Sequence, residues 1–241
     1  MPTKVTVCQV PDIRENIAAS LRWIERFAAR AESQKVSLIC FPECFLQGYL
    51  TDKFRAEKCA INLESLTAKS IFQRLAKFSL AIVTGFIEED SGNLYNTAMV
   101  IKEGKLLGKY RKINLLKGEQ IFKSGWEYPV FQINDLKFGI NICYDTQFAE
   151  IAARTVKQGV SLILCPANNM MSYKIAEEYK HLHHKMRIER TVENRIWMLS
   201  ADVTGERDGR ISYGPTSVIN PKGEVISQVP LMKTGMITVE V

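Results

Sequence analysis

Histidine is scarce in this chain: there are three in 241 residues, all within His181-Leu182-His183-His184. On a helix, positions 181 and 184 share a face and 183 does not, and no third ligand stands at a metal-site spacing, so a solvated helix surface is expected there. Long apolar runs are also missing. The longest, such as 160–165, fall far below the roughly 20 residues a helix needs to cross a bilayer. The chain opens directly on a strand-like pattern, without the basic segment, apolar segment and cleavage site of a leader, so a cytoplasmic location is expected. No Gly/Ser/Pro-rich linker, internal repeat or low-complexity stretch divides it, which predicts one domain over 1–241. Lys and Arg outnumber Asp and Glu by 32 to 26, but no basic run interleaves with aromatics, so a solvated surface is expected rather than a nucleic-acid partner. With 46% hydrophobic and 24% charged residues, the composition is that of a soluble globular protein.

The six cysteines are not spaced as a disulfide framework. Cys8, Cys40 and Cys165 fall inside strand-like runs, Cys44 and Cys143 at element ends, and Cys59 in a polar stretch. Free thiols in a reducing compartment fit this scatter. Cys40 and Cys44 lack the second pair a zinc site needs.

Residues 5–10 alternate as a strand, Asp12 offers a helix cap, and Ile13, Ile17, Leu21, Ile24, Phe27 and Ala31 then mark one helical face. A buried strand over 36–41 ends at Pro42-Glu43, because proline cannot donate to a sheet ladder. Residues 51–62 are polar and read as an irregular excursion, 66–78 as a helix and 80–85 as a strand. Strands at 95–101 and 105–109 meet at Lys102-Glu103-Gly104, and strands at 130–133 and 136–142 meet at Asn134-Asp135. A helix over 148–158, a strand over 160–165, one long helix over 175–195 and strands at 197–203, 216–220, 225–229 and 236–241 complete the pattern. A mixed sheet system covered by helices is the predicted outcome.

Cys143 sits where the 136–142 strand gives way to polar residues and then to the helical pattern. A strand-to-helix corner leaves the first helical N–H groups unpaired near the sulfur, which is expected to lower the thiol pKa and to offer donors to an oxyanion. An inert thiol at a strand end is the alternative. Two other groups stand just past predicted strands, Glu43 and Lys112, and Glu119 lies in the loop beyond. A thiol that hydrolyses an unactivated C–N bond needs a base for its proton, a cation or donor for the oxyanion and an acid for the leaving nitrogen. Glutamate can serve as base and then acid, and lysine can stabilise the oxyanion. Each residue could instead be an ordinary surface or capping group, and spacing alone does not bring them together.

Phe41-Pro42-Glu43, Tyr110-Arg111-Lys112-Ile113-Asn114-Leu115 and Asn141-Ile142-Cys143-Tyr144-Asp145 together resemble the signature of the carbon-nitrogen hydrolase, or nitrilase, superfamily. Lys112 follows Glu43 by 69 residues and Cys143 follows Lys112 by 31. The resemblance extends to Gly48-Tyr49, Cys165-Pro166-Ala167 and the 190–194 segment. It implies an α/β fold, a four-layer α-β-β-α sandwich of mixed sheets, with Glu43 as general base, Lys112 as oxyanion donor and Cys143 as nucleophile. It further implies that Glu119 is a second glutamate beside the triad and that the Tyr144 N–H joins the oxyanion hole. It implies no metal or organic cofactor, a small-molecule substrate, and a homodimer or larger homo-oligomer.

Several carboxylate-recognising members carry an arginine just after Cys-Tyr-Asp, where this chain has Thr146-Gln147-Phe148. Gln147 cannot form a charged bidentate clamp, so a neutral or cationic amide or a carbamoyl compound is at least as well accommodated. Tyr49, Tyr144, Gln147, Phe148, Asn168 and Met171 are candidate pocket residues. A cysteine followed by a later histidine is also the chain order of papain-like proteases; loss of activity in His183→Ala would mark that class. A nitrilase, or a noncatalytic binding module on the same fold, remains open at this stage.

Overall fold

The computed structural model describes residues 2–180 and 182–241. In chain order the elements are β1 (Lys4–Pro11), α1 (Ile17–Ser33), β2 (Leu38–Cys40), α2 (Lys53–Cys59), α3 (Leu66–Leu75), β3 (Ala81–Asp90), β4 (Asn93–Lys102) and β5 (Lys105–Arg111). There follow β6 (Phe131–Ile133), β7 (Leu136–Ile140), α4 (Ala149–Val156), β8 (Leu162–Pro166), β9 (Met171–Ser172), α5 (Tyr173–Tyr179) and α6 (Leu182–Asn194). The chain closes with β10 (Trp197–Arg207), β11 (Arg210–Ser212), β12 (Ser217–Ile219), β13 (Val225–Gln228) and β14 (Gly235–Glu240).

The strands run in the order β5-β4-β3-β2-β1-β10-β8-β7-β6. Strands β1, β2 and β3 are parallel to one another, as are β7, β8 and β10, with antiparallel hairpins at both edges. The path folds into two halves that meet where Gln9–Pro11 of β1 pairs with Asp202–Thr204 of β10. Alternation along the strands builds three hydrophobic layers. Val5, Val7, Leu38 and Cys40 face Phe138, Ile140, Leu162 and Leu164 of the other half, forming the central layer. The residues between them in sequence, such as Cys8, Ile39 and Ile82, pack under Leu21, Ile24 and Ile71 of α1 and α3. On the opposite side Ile163, Cys165 and Met198 pack with Ala152 of α4. Helices, sheet, sheet and helices are thus the four layers that the family resemblance implies, and each strand in the middle is buried on both faces.

Several local expectations are corrected. Asp12 does not cap the first helix; Asn16 does, its side chain accepting the Ala19 N–H at 2.9 Å, while Asp12 pairs with Arg207. Residues 51–62 are not irregular, because Asp52 caps α2 through the Arg55 N–H at 2.9 Å. That helix buries only Ala56, so it has no apolar stripe to read. The single helix expected over 175–195 is two helices with different supports: α5 packs on β9 and β11, whereas α6 packs on α4, β10 and β12. Strand β3 runs on to Asp90, and β9 and β11 were not anticipated. His181 of the expected surface cluster lies outside the described residues. Among the described residues no helix is long and apolar enough to cross a membrane.

Candidate active site

Two loops, one after β2 and one after β5, bring Glu43, Lys112 and Glu119 together. Glu43 follows β2, and its loop lies directly on β3 at Gly85. A Cβ at Gly85 would meet the Cys44 nitrogen at 2.3 Å and the Pro42 oxygen at 2.5 Å, so only glycine fits. Lys112 follows β5, anchored by its own N–H to the Asn96 carbonyl at 2.8 Å and by the Gly125 N–H to its carbonyl at 2.7 Å. Lys112 Nζ donates to Glu43 Oε1 at 2.7 Å and to Glu119 Oε1 at 2.9 Å. All three side chains are at most 1% exposed.

Asn96 lies beneath this pair of carboxylates. Its Nδ2 donates to Glu43 Oε1 at 2.7 Å and to Glu119 Oε1 at 3.2 Å, and its Oδ1 accepts from the Cys44 thiol at 3.3 Å. The Asn168 N–H reaches Glu43 Oε2 at 3.0 Å, and the Leu116 N–H reaches Glu119 Oε2 at 2.6 Å. Burial raises the Glu43 pKa against the opposing pull of Lys112, with Glu119 adding to the rise. For Lys112, burial favours the neutral amine, but Glu43, the Cys143 sulfur and Glu119 outweigh it and hold the ammonium well above its ordinary value.

Cys143 does not begin an α-helix directly. A 3₁₀ turn over Cys143–Gln147 intervenes before α4. Asp145 pins the turn: its Oδ2 accepts the Ile142 N–H at 3.0 Å and the Tyr110 hydroxyl at 2.8 Å, and its Oδ1 accepts the Asn114 N–H at 2.8 Å. Cys143 itself has φ of 45°, a left-handed conformation that a residue with a Cβ adopts at a cost of about 1–2 kcal/mol. The thiol pKa is not lowered as the corner implied. Burial pushes it well above the ordinary thiol value and the Glu43 carboxylate adds to this, with Lys112 opposing. At rest, therefore, the sulfur keeps its proton and needs a base.

Cys143 faces a cavity of about 610 Å³, which Tyr144, Gln147 and Met171 also line. Of the other candidate pocket residues, Phe148 packs edge-on against the Tyr144 ring at 5.2 Å. Asn168 turns its amide toward Asp12, and Tyr49 lies beside Glu119 at a separate depression of about 250 Å³. His183, expected on a solvated surface, lines the cavity instead, and burial holds its pKa down at about 3, so the ring is neutral. Sequence reasoning missed Asn96, Asn169, Asp202 and Arg187. Asn169 lines the cavity and gives its N–H to Asp202 Oδ1 at 3.1 Å; Arg187 lines it from α6. For Asn96 and Asp202 there was a signal, a polar residue inside a strand of otherwise buried alternation.

A buried ammonium shared by two carboxylates, beside a thiol at a cavity wall, is the equipment of a nucleophilic hydrolase. Residues 4–241 match the Carbon-nitrogen hydrolase family, and the chain belongs to it. It is 28% identical to omega-amidase NIT3 of Saccharomyces cerevisiae over 90% of this chain and 78% of that one. To the Homo sapiens omega-amidase NIT2 it is 30% identical over 84% of this chain and 75% of that one. An amidase from Nesterenkonia sp. AN1 superposes with a TM-score of 0.86 at 22% identity, covering 99% of this chain and 93% of the other, and shares the fold. The protein is a carbon-nitrogen hydrolase of the nitrilase superfamily.

Proposed function

We propose that this enzyme hydrolyses a small linear amide or N-carbamoyl compound through a thioester on Cys143, releasing ammonia. The observation that carries this is the Glu43–Lys112–Glu119 cluster beside a protonated thiol that opens on a cavity. Glu43 takes the thiol proton as the sulfur attacks the carbonyl carbon. The oxyanion is stabilised by the Lys112 ammonium and by the Tyr144 N–H, which belongs to the first turn, where donors lack partners within the turn. Collapse expels the nitrogen, which leaves as ammonia with the proton from Glu43. Glu43 then deprotonates a water that attacks the thioester, and the acid and free thiol are regenerated. Glu119 holds Lys112 in place and is itself fixed by the Leu116 N–H. The names of the omega-amidase relatives support amide over nitrile, while a Pyrococcus abyssi relative named nitrilase, 30% identical over 84% of this chain, keeps nitriles in the test.

The test is ammonia release by wild type and Cys143→Ala across small amides, N-carbamoyl compounds and nitriles. Turnover of an amide or carbamoyl compound by wild type, abolished in Cys143→Ala, is expected. Turnover that survives the substitution, or turnover of nitriles alone, overturns the reading.

A further inference from the structure

Asn96 lies in β4, buried, with its backbone fixed by the ladder to β3, where it stands opposite Ile87. Its contacts reach all three charged groups of the cluster. The carbonyl accepts the Lys112 N–H at 2.8 Å, and Nδ2 donates to Glu43 Oε1 at 2.7 Å and to Glu119 Oε1 at 3.2 Å. Lys112 Nζ donates to the same two oxygens, at 2.7 Å and 2.9 Å. The four groups close a ring in which two donors, one charged and one neutral, alternate with two carboxylate oxygens.

One ammonium balances one of the two carboxylates. In a volume closed to solvent the second charge depends on neutral donors, and the Asn96 amide has two N–H groups to share between the oxygens. Without them the carboxylates relieve their repulsion by taking up a proton or by moving apart. Either change takes the base away from the thiol. The Asn96 hydrogen bond also acts with Lys112 against burial to favour the ionised form of Glu43.

An amide can turn its oxygen where its nitrogen stood, and an oxygen facing two carboxylates repels both. Cys44 selects the other orientation, because its thiol donates to Asn96 Oδ1 at 3.3 Å. Burial, with Glu43 and Glu119 alongside, pushes the Cys44 pKa well above the ordinary thiol value, so the sulfur keeps the proton it donates. Cys44 directly follows Glu43 in a segment seated against Gly85, so the base and the thiol that orients its partner are held as one piece.

We propose that Asn96, oriented by the Cys44 thiol, is a positioning residue of this site, holding Glu43 and Glu119 side by side on Lys112 so that Glu43 stays available as a base. This rests on the reading of Glu43 as the base for Cys143 and adds the residues that keep it in that role.

The experiment follows alkylation of Cys143 by iodoacetamide across pH, read on the Cys143 peptide by mass spectrometry, with Tm measured in parallel. Wild type is compared with Glu43→Gln, Asn96→Ala, Asn96→Asp, Cys44→Ala and Cys44→Ser. At neutral pH both Asn96 variants are expected to react at least about tenfold more slowly. Their rates should rise at a pH higher than wild type by about one unit in Asn96→Ala, and by more in Asn96→Asp, which adds a third carboxylate. Cys44→Ala should move the profile in the same direction by less, and Cys44→Ser, whose hydroxyl can still donate to Oδ1, should restore it toward wild type. A purely structural role would lower Tm and leave the profile where it is. Profiles unmoved in folded Asn96→Ala and Asn96→Asp overturn the proposal, as does a Cys44→Ala profile that matches Cys44→Ser. Should the Asn96 variants not fold, the two Cys44 variants decide. A Glu43→Gln profile equal to wild type removes Glu43 as the base, and the proposal falls with that reading; a slowed Glu43→Gln beside unmoved Asn96 variants sinks the proposal alone.

Discussion

Lys112 Nζ sits between two carboxylates in a volume closed to solvent, and the balance of charge there depends on it. Replacing it leaves Glu43 and Glu119 facing one another with only Asn96 to share between them. Lys112→Met is expected to lose about 3–5 kcal/mol of stability, the usual cost of stranding a buried charge, and at least about 100-fold in kcat. Urea unfolding and ammonia release read the two effects separately. Asp202 shows the opposite economy. Burial lifts its pKa from 3.8 to about 6, even with Arg187 and the Asn169 donors opposing. The native state thus holds this proton more tightly than the unfolded chain does, and stability falls as pH rises from about 4 to about 6. The contribution at neutral pH is a loss of up to about 3 kcal/mol. Asp202→Asn removes the charge and keeps the hydrogen bonds if the Asn169 amide turns over. Its Tm should exceed wild type at pH 7.5, with the difference shrinking to nothing near pH 4; equal differences at both pH values would contradict the linkage. In the sequence, Glu43, Lys112 and Cys143 stand out because the stretches that resemble the family carry them, and Glu119 is singled out only by what the resemblance implies. Arg187 was missed because an arginine on a polar helix looks solvated until the fold shows what covers it.

At the scale of elements, the site is set by how loops leave strands. The turn after β2 passes so close to β3 that Gly85 has no room for a side chain, and the turn after β7 is held by Asp145 rather than by a helix. Gly85→Ala is expected to push the Pro42–Cys44 segment away, moving Glu43 relative to Lys112. A displacement of this kind costs catalysis more than folding, about 10- to 100-fold in kcat, with circular dichroism little changed. Tyr110→Phe removes one of the four donors on Asp145 and should cost about 1–2 kcal/mol. Most of the strands were legible, because alternation and continuous apolar runs survive in sequence, but β9, β11 and the far ends of β3 and β10 were not. The caps, the break between α5 and α6 and the 3₁₀ turn were not. They depend on which neighbour each segment packs against, and α2, with one buried residue, leaves no periodicity to find. The expected drop in the Cys143 pKa failed for the same reason: the sulfur is governed by burial beside Glu43, not by a helix terminus.

At the scale of the whole molecule, the two sheets contribute different halves of the proposed chemistry. Glu43 and Lys112 come from the end of the β1–β5 half, Cys143 from β7 in the other, and the central layer between the sheets fixes their separation. Strands buried on both faces let the residue pattern predict a mixed sheet system covered by helices, whereas the four layers came from the family resemblance, and the relative placement of the halves is encoded by no local pattern. The outer layer between α1 and its sheet bears on one half alone. Leu162 lies in the central layer and is fully buried; Leu21 lies in the outer one at 5% exposure. Truncating either to alanine removes the same atoms and should cost about 2–5 kcal/mol. The catalytic outcomes should differ, because a cavity at Leu162 lets β8 and its neighbour β7 settle against the opposite sheet and moves Cys143 against Glu43, whereas relaxation around Leu21 is taken up by α1. Leu162→Ala should therefore lower kcat several-fold more than Leu21→Ala when both are assayed well below their melting temperatures. Equal kcat values in the two variants would mean that the loops alone, and not the contact between the sheets, hold the nucleophile against its base.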